Sequence, residues 1–301
     1  MHQDDDPQQE LLPTDTAAAD APEPEYIRRM RSLSQEALSN KSPPNLPIWP
    51  VDTRGIPNEF VRSSLFTVRN KRTPRKLLAN EQLFALKGIE IKYRGEELRS
   101  DSDEEVWLQI MHLASRSDDQ TTVEFTPRAF LIDLGWPTTG FYYDRLRECL
   151  SRLQATTLSI RSPRLHKTLN VSLVRKAITR DETDDTPLPI WTIFLEEEIR
   201  YLFGQQHYTR LQWEERKSLS VYGKRLYDFY SSHREPYPMG LEMLGALCGS
   251  NAQTVKNLRR MIRRTLFELQ ELGFLTDWHI DNRTGVVHVQ RNLARRIGCR
   301  H

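Results

Sequence analysis

The chain has 301 residues, a formal net charge of +2, and 28% charged against 38% hydrophobic residues. That length allows two domains, since globular domains typically span about 100 to 200 residues. No apolar run approaches the roughly 18 residues that span a bilayer, so the sequence excludes a transmembrane helix. The acidic opening MHQDDDPQQE lacks the basic and apolar regions of a secretory signal. We therefore expect a cytoplasmic protein.

The small net charge hides an uneven distribution of acids. Residues 1–25 contain eight Asp or Glu and no Lys or Arg. Because these eight negative charges lie in one segment, the rest of the chain carries a formal charge of +10. A basic body favours a polyanionic partner, since every neutralised phosphate releases condensed counterions.

Composition also divides the chain into three parts. Residues 1–45 are rich in acids, Pro, Ala, Gln and Ser and are predicted to be a disordered acidic tail, with a short helix at 26–38 as an alternative for part of it. The run Leu-Pro-Ile-Trp-Pro at 46–50 is the first large apolar cluster, and its prolines favour an extended docking strand. We place two folded domains after the tail, at 46–210 and 211–301.

The first folded domain is predicted to contain three main helices followed by strands. Thr126 and Pro127 are typical of a helix start, and Gly135 of a helix end. A stretch from Arg69 to Lys76 is expected to be an exposed basic loop. Helical periodicity or alternation predicts the following elements: helices at 58–65, 104–115, 128–134 and 140–154, and strands at 88–93, 156–161, 169–178 and 191–195, with the last two paired to 156–161.

The second folded domain repeats this order. Helices are predicted at 220–233, 240–248 and 251–272, and a β-hairpin at 274–280 and 286–290. Three helices followed by strands are the order of a winged helix-turn-helix. The sequence therefore predicts an α+β fold with tandem winged helix-turn-helix domains behind a disordered acidic tail.

The helix at 251–272 has the chemistry of a DNA-recognition helix. Its apolar residues Val255, Leu258, Ile262, Leu266 and Leu269 repeat at helical spacing and are expected to face a core. The remaining surface carries amides, hydroxyls and guanidinium groups, with no acid before position 268. Amides and guanidiniums make bidentate contacts with base edges, and hydroxyls contact phosphates. The residues assigned to DNA contact are Asn251, Gln253, Thr254, Lys256, Asn257, Arg259, Arg260, Arg263 and Arg264, the last two to phosphates.

Further contacts are predicted outside this helix. Asn282 and Arg283, at the hairpin tip, are assigned to the minor groove or to phosphate, with a plain turn as the alternative. Lys217, Lys224 and Arg225 are assigned to backbone contacts. The corresponding helix of the first domain, at 140–154, carries charges of both signs, which favours backbone or protein contact over base recognition.

No catalytic or metal-binding motif is recognisable. Cys149, Cys248 and Cys299 have no CxxC spacing, which argues against a disulfide framework or a zinc site. A glycine-rich phosphate loop and a His-Glu-x-x-His pair are also missing. We expect neither an enzyme nor a cofactor.

Two long runs resemble the TrfA-type plasmid replication initiators, a family of iteron-binding proteins. They are LPIWPVDTRGIPNEFVRSSLF from Leu46 and GIEIKYRGEEL from Gly88, the second followed by Val106-Trp107 and by His112-Leu113-Ala114. The likeness extends from residue 46 to the end. It implies binding to direct repeats at a plasmid origin, opening of an adjacent AT-rich region, and recruitment of the host initiator and helicase.

The resemblance also implies a homodimer that exchanges with an active monomer, which would provide copy control. In this family the first domain contributes dimerisation and backbone contacts, and the second recognises the repeat. Some members bind the host sliding clamp through a Gln-Leu-x-Leu-Phe motif. Leu65 and Phe66 match only its end, with Arg62 in place of Gln, so burial in the core is the alternative for this pair.

Two other functions are compatible with the same residues. A transcriptional regulator with tandem winged helices would share the recognition chemistry, and a protein-interaction module would use its helices to bind a partner. Direct repeats beside an AT-rich stretch near the coding gene would distinguish replication from both.

Overall fold

A computed structural model of the chain describes residues 43–69, 72–204 and 207–294, together with Glu25 and Arg29, which are helical. The chain divides at Ser42, and Pro43–His301 forms one compact unit, which is the one considered below. The predicted disordered tail and its alternative helix lie almost wholly outside the described residues. Within the described ranges, no helix is long and apolar enough to cross a bilayer.

The N-terminal part of this unit is mixed α and β. In chain order its elements are β1 (Thr53–Pro57), α1 (Asn58–Val61), β2 (Phe66–Thr67), β3 (Leu77–Gln82), β4 (Glu90–Glu96), β5 (Leu98–Arg99), α2 (Asp103–Ala114), β6 (Thr122–Phe125), α3 (Pro127–Asp133), α4 (Gly140–Gln154), β7 (Thr157–Arg161), β8 (Leu169–Val171), β9 (Lys176–Arg180), β10 (Pro187–Phe194), a 3₁₀ helix (Glu197–Phe203) and β11 (Tyr208–Gln212).

The C-terminal part has the predicted order of helices followed by a hairpin. Its elements are α5 (Trp213–Ser218), α6 (Val221–Ser231), β12 (Met239–Gly240), α7 (Leu241–Leu247), α8 (Val255–Glu271), β13 (Leu275–Ile280) and β14 (Val286–Arg291). The hairpin of β13 and β14 is extended by β12 into a three-stranded sheet. The chain thus has the mixed α+β class that its sequence predicts, and the helices at α2, α3, α4, α6 and α7 are confirmed to within two residues at each end.

One strand pairing differs from the prediction. β7 pairs with β4 and β8 in a sheet of order β3-β4-β7-β8, whereas β10 pairs with β6 and β9 in a separate sheet. The predicted strand at 169–178 is therefore divided. Its chain turns at Ser172 and Leu173, whose amides donate to Glu196 Oε1 (3.1 Å) and Thr156 Oγ1 (3.1 Å) instead of to a strand. The predicted pairing of residues 191–195 with β7 was wrong. Alternation of apolar and polar residues shows which face of a strand is buried, but it does not show which strand lies beside it.

The core is built around α2 and the aromatic entry segment. Trp107 of α2 is fully buried and packs against Phe60 and Phe203, with ring centroids 5.2 and 6.2 Å away. Trp49 is also buried and contacts Phe203, as expected for a docked segment. Gly55 makes this possible, because a Cβ there would lie 2.3 Å from Trp49 Cζ2.

Within the N-terminal part, β11 pairs antiparallel with β1, with Ile56 opposite Thr209. Direct contacts also join the N-terminal part to the C-terminal part. Arg216 of α5 has no exposed surface and lies 2.7 Å from Glu104 Oε2 of α2. The division into domains at residue 210 stays a prediction.

Candidate nucleic-acid interface

The helix predicted to contact DNA begins later than expected. α8 starts at Val255, with Thr254 as N-cap residue, whose Oγ1 accepts a hydrogen bond from the Asn257 amide at 3.2 Å. Asn251 and Gln253 are exposed and precede the helix in the loop that follows the Gly249 turn. Their assignment to the helix was wrong, although they still lie at its N-terminal end.

One face of α8 is buried, as its periodicity predicts. Leu258, Ile262, Leu266 and Leu269 are buried against the C-terminal core. Val255, predicted to share that face, is 52% exposed. Val255 is the first residue of the helix, and its predicted burial was wrong.

The opposite face of α8 is cationic and open. Lys256, Arg260, Arg263 and Arg264 are exposed, and none forms an ion pair with another described residue. No Asp or Glu occurs between 251 and 267, so this surface has no internal neutralisation. Such a face attracts a polyanion, and its guanidinium groups remain available for contacts with phosphates or base edges.

The first acid on the helix is used inside the protein. Glu268 Oε1 and Oε2 accept hydrogen bonds from the amide and hydroxyl of Ser220, each at 2.6 Å. The Ser220 hydroxyl in turn accepts from the Gly223 amide and so caps α6. Glu268 therefore holds α8 against the start of α6. It lies near the positive end of that helix, where a carboxylate is stabilised.

The hairpin tip lies against α8 through one arginine. Arg259 Nη1 donates to Asn282 Oδ1 at 3.2 Å, in the turn between β13 and β14. Asp281 organises that turn by accepting hydrogen bonds from Thr284, and these bonds lower the pKa of the Asp281 carboxyl. Asn282 and Arg283 are exposed. The helix and the tip thus form one continuous surface, and Arg259 serves to connect them.

The three cations assigned to backbone contacts are engaged within the protein. Arg225 is fully buried and donates to the carbonyl oxygens of Val61 (2.8 Å) and Ser63, so its predicted DNA contact is wrong. Lys224 Nζ is bound to Glu105 Oε1 at 2.5 Å, and Lys217 Nζ to Glu214 Oε1 at 2.8 Å. The N-terminal part supplies Glu105 to Lys224 and backbone carbonyls to Arg225, whereas the acid that pairs with Lys217 lies on α5 itself. The sequence alone presents all three side chains as surface cations.

Leu65 and Phe66 do not form an accessible motif. Both are buried, with Phe66 having no exposed surface, and Phe66 packs edge-on to Phe60. The sliding clamp could reach this pair only by local unfolding. The alternative given by the sequence, burial in the core, is the correct one.

α4 presents a different surface from α8. Its acids and bases pair with each other, Asp144 with Arg147 and Glu148 with Arg152. This agrees with the mixed-sign face expected from the sequence. Phe141, at the start of the helix, is 69% exposed.

No metal centre emerges among the described residues, where no three His, Cys, Asp or Glu side chains lie close enough to hold an ion. Cys149 and Cys248 are buried free thiols, and burial raises the pKa of each. Cys299 lies outside the described residues. The candidate site consists of the exposed surface of α8, the loop before it and the hairpin tip.

Comparison with known proteins identifies the family. The family model described as TrfA protein matches residues 35–291 of the chain. A relative from Escherichia coli, named plasmid replication initiator protein TrfA, is 39% identical over 245 residues, which are 81% of this chain and 63% of that protein. The chain belongs to the TrfA family, which confirms the resemblance found in its sequence. It spans less than two thirds of that relative's length.

A solved structure shares the fold. Domains 2 and 3 of RctB superpose with a TM-score of 0.52 at 16% sequence identity, covering 79% of this chain and 99% of that one. At this identity the likeness concerns the backbone architecture alone.

Proposed function

We propose that the chain is a plasmid replication initiator that binds direct repeats at its origin through a C-terminal winged helix. The observation that carries this proposal is the exposed face of α8, where Lys256, Arg260, Arg263 and Arg264 lie together without a neighbouring acid. The name of the 39% identical relative supports the replication part of the proposal.

The C-terminal elements suit winged-helix docking. α7 and α8 form the helix-turn-helix, with α8 entering the major groove, and β13 and β14 form the wing. In such docking the N-terminal part of the recognition helix contacts base edges. Here that part contains Thr254, Lys256, Asn257 and Arg260, and the loop before it supplies Asn251 and Gln253. Arg263 and Arg264, further along, contact phosphates.

The N-terminal part is proposed as a second winged helix with a different task. α2, α3 and α4 would form its helical portion, and the internal pairing of charges on α4 disfavours base recognition there. Dimerisation and backbone contact are its proposed roles, with exchange between dimer and active monomer as the means of copy control. Host initiator and helicase are the proposed partners.

The proposed action needs no covalent chemistry. Binding energy from phosphate and base contacts would be used in part to deform the DNA, which favours opening of a flexible AT-rich stretch beside the repeats. We therefore propose a cytoplasmic binding protein without cofactor or catalytic activity.

A plasmid maintenance assay tests this proposal against a regulator. A selectable circle carrying only the repeats and the AT-rich stretch is introduced into cells that express the chain in trans. We expect replicating circles with the unmodified chain and with Arg161→Ala, which removes an exposed arginine from β7. Arg260→Ala should give none. A chain that alters a reporter placed beside the repeats but never maintains the circle would be a transcriptional regulator instead.

A further inference from the structure

Two histidines of the β13–β14 hairpin have no part in the interface described above. His279 of β13 and His288 of β14 lie directly opposite each other in the antiparallel register. Their rings are stacked almost parallel, with an interplanar angle of 7° and centroids 4.3 Å apart. These two side chains are called here the histidine pair.

The histidine pair lies on the face of the hairpin that points away from the core. The residues next to it face inward: Ile280 lies opposite Val287, and both are buried. On the other side of the pair, Trp278 Nε1 donates to Gln270 Oε1 of α8 at 2.9 Å. Because successive residues of a strand point to opposite faces, the two histidines point outward. The β13 ring is exposed and the β14 ring is half-exposed.

The ring nitrogens of the histidine pair are not used inside the protein. Neither His279 nor His288 forms a side-chain hydrogen bond with another described residue. The partly buried His233 differs, because its Nδ1 lies 3.1 Å from the Phe229 carbonyl oxygen. A neutral imidazole without such a partner offers a lone pair to a metal ion, and the pair offers two side by side.

The separation of the two rings suits a single ion. Two imidazole nitrogens that bind one tetrahedral ion at about 2.0 to 2.1 Å lie about 3.4 Å from each other. The centroids of the histidine pair are 4.3 Å apart. Small rotations of the two side chains therefore bring one nitrogen of each ring to a common ion, with no change in the backbone of the hairpin.

Oxygen donors continue the same face of the hairpin. Asp277 lies two residues before His279, Gln290 lies two residues after His288, and these two residues are opposite each other and exposed. Polar groups beside a metal site hydrogen-bond to the ligands and waters on the ion. Within the described part of the chain no third His, Cys, Asp or Glu completes a three-residue centre. The two imidazoles would therefore be the protein ligands, with water in the other positions.

We propose that the histidine pair binds one divalent transition-metal ion, such as Zn²⁺, on the outer face of the hairpin. Imidazole nitrogen suits ions of this class, whereas Mg²⁺ and Ca²⁺ prefer oxygen ligands. The bound ion joins β13 to β14 and adds positive charge to the hairpin. It is a reversible ligand and not a requirement for folding, since the hairpin is already held by its strand pairing and by α8. The metal site does not depend on the proposed function.

Titration of the untagged full chain with ZnCl₂ tests the site. Isothermal titration calorimetry measures the zinc affinity of the unmodified chain and of the variants His279→Gln and His288→Gln. Each variant should lower the affinity about tenfold or more, since loss of even an outer-shell partner of a metal site typically costs 10- to 100-fold. MgCl₂ should give no binding at the histidine pair, so its titration should be the same for all three proteins.

A matched control removes one imidazole elsewhere. His166 is exposed in the connection between β7 and β8, and His166→Gln should keep the zinc affinity of the unmodified chain. Circular dichroism spectra that match the unmodified chain show that each variant is folded. Equal zinc affinity in the unmodified chain and in both hairpin variants would overturn the proposal. Loss of affinity with only one of the two would also overturn it, because the ion would then not be shared by the pair.

Discussion

Asn257 and Arg260 lie three residues apart on α8, which places them on neighbouring positions of one helix surface. Asn257 is half-exposed, its backbone amide donates to the Thr254 hydroxyl, and Arg260 is exposed. Arg263 follows one further turn along the same surface. We assign base contacts to Asn257 and Arg260 and a phosphate contact to Arg263.

Replacing either residue proposed to contact bases should reduce sequence discrimination. We expect Asn257→Ala or Arg260→Ala to lower the preference for the cognate repeat over unrelated duplex by about 1 to 3 kcal/mol, since a bidentate contact is lost. Competition gel-shift titrations measure this preference. Arg263→Ala is the matched control, which should weaken all duplexes alike. A variant at 260 that kept the full preference would contradict its assignment.

His112 of α2 should make the stability depend on pH. Burial, with Arg54 and Arg116 nearby, lowers the pKa of His112 to about 4. The folded state therefore favours the neutral ring, and the resulting stability is present above the ordinary pKa near 6.5 and is lost as pH falls towards 4. We expect the free energy of unfolding to fall by about 1 kcal/mol between pH 7 and pH 5 through this group.

The control for His112 removes the titration and keeps a neutral amide. Glu104 also makes the stability depend on pH, in the opposite direction. Burial raises the pKa of its carboxyl, so the stability that Glu104 contributes is lost as pH rises. The informative quantity is thus the difference between the parent and His112→Gln in urea unfolding at the two pH values. An identical pH dependence in both proteins would show that His112 does not contribute.

At the scale of elements, the start of α8 depends on a single hydroxyl. Thr254 Oγ1 satisfies the Asn257 amide, which has no partner within the helix. Thr254→Ala should lower the free energy of unfolding by about 1 kcal/mol, and Thr254→Ser should retain it. Urea denaturation compares the three proteins. Equal losses in both variants would mean that the side-chain methyl, and not the cap, is responsible.

Elements bounded by local signals were predictable, and elements defined by distant partners were not. Periodicity with Thr126-Pro127 and Gly135 located α3, and the turn at 281–285 located the hairpin. The sequence did not predict β11 or α5. In the case of β11, Tyr208–Gln212 becomes a strand by pairing with β1, about 150 residues earlier in the chain. Distant partners also explain the wrong prediction for Arg225. An arginine suggests a phosphate contact, whereas this side chain donates to carbonyl groups of residues 60–63.

At the scale of the whole molecule, a buried ionic cluster connects the two parts. Arg216 lies 2.7 Å from Glu104 Oε2 and 2.9 Å from Asp228 Oδ2, and all three side chains are fully buried. Together they join α2 with α5 and α6. Loss of one partner would leave a buried unpaired charge, which is strongly destabilising. We therefore expect the stability of each part to depend on the other.

Removing the central arginine should destabilise both parts together. Arg216→Ala leaves two carboxylates without their partner and should cost about 3 to 5 kcal/mol. Urea unfolding followed by tryptophan fluorescence and by circular dichroism should give one coincident, shifted transition. Lys217→Ala, which removes a partly exposed ion pair with Glu214, should change stability by about 1 kcal/mol or less. Two separate transitions, with only one displaced, would show that the parts fold independently.

We propose that this chain recognises a specific DNA sequence through its C-terminal part. Footprinting of the purified chain on the plasmid that encodes it tests this recognition. We expect protection of direct repeats in register with the helical turn, next to an AT-rich stretch, and loss of that protection with Arg260→Ala. Uniform or absent protection by the unmodified chain, or a footprint unchanged by the substitution, would contradict the claim.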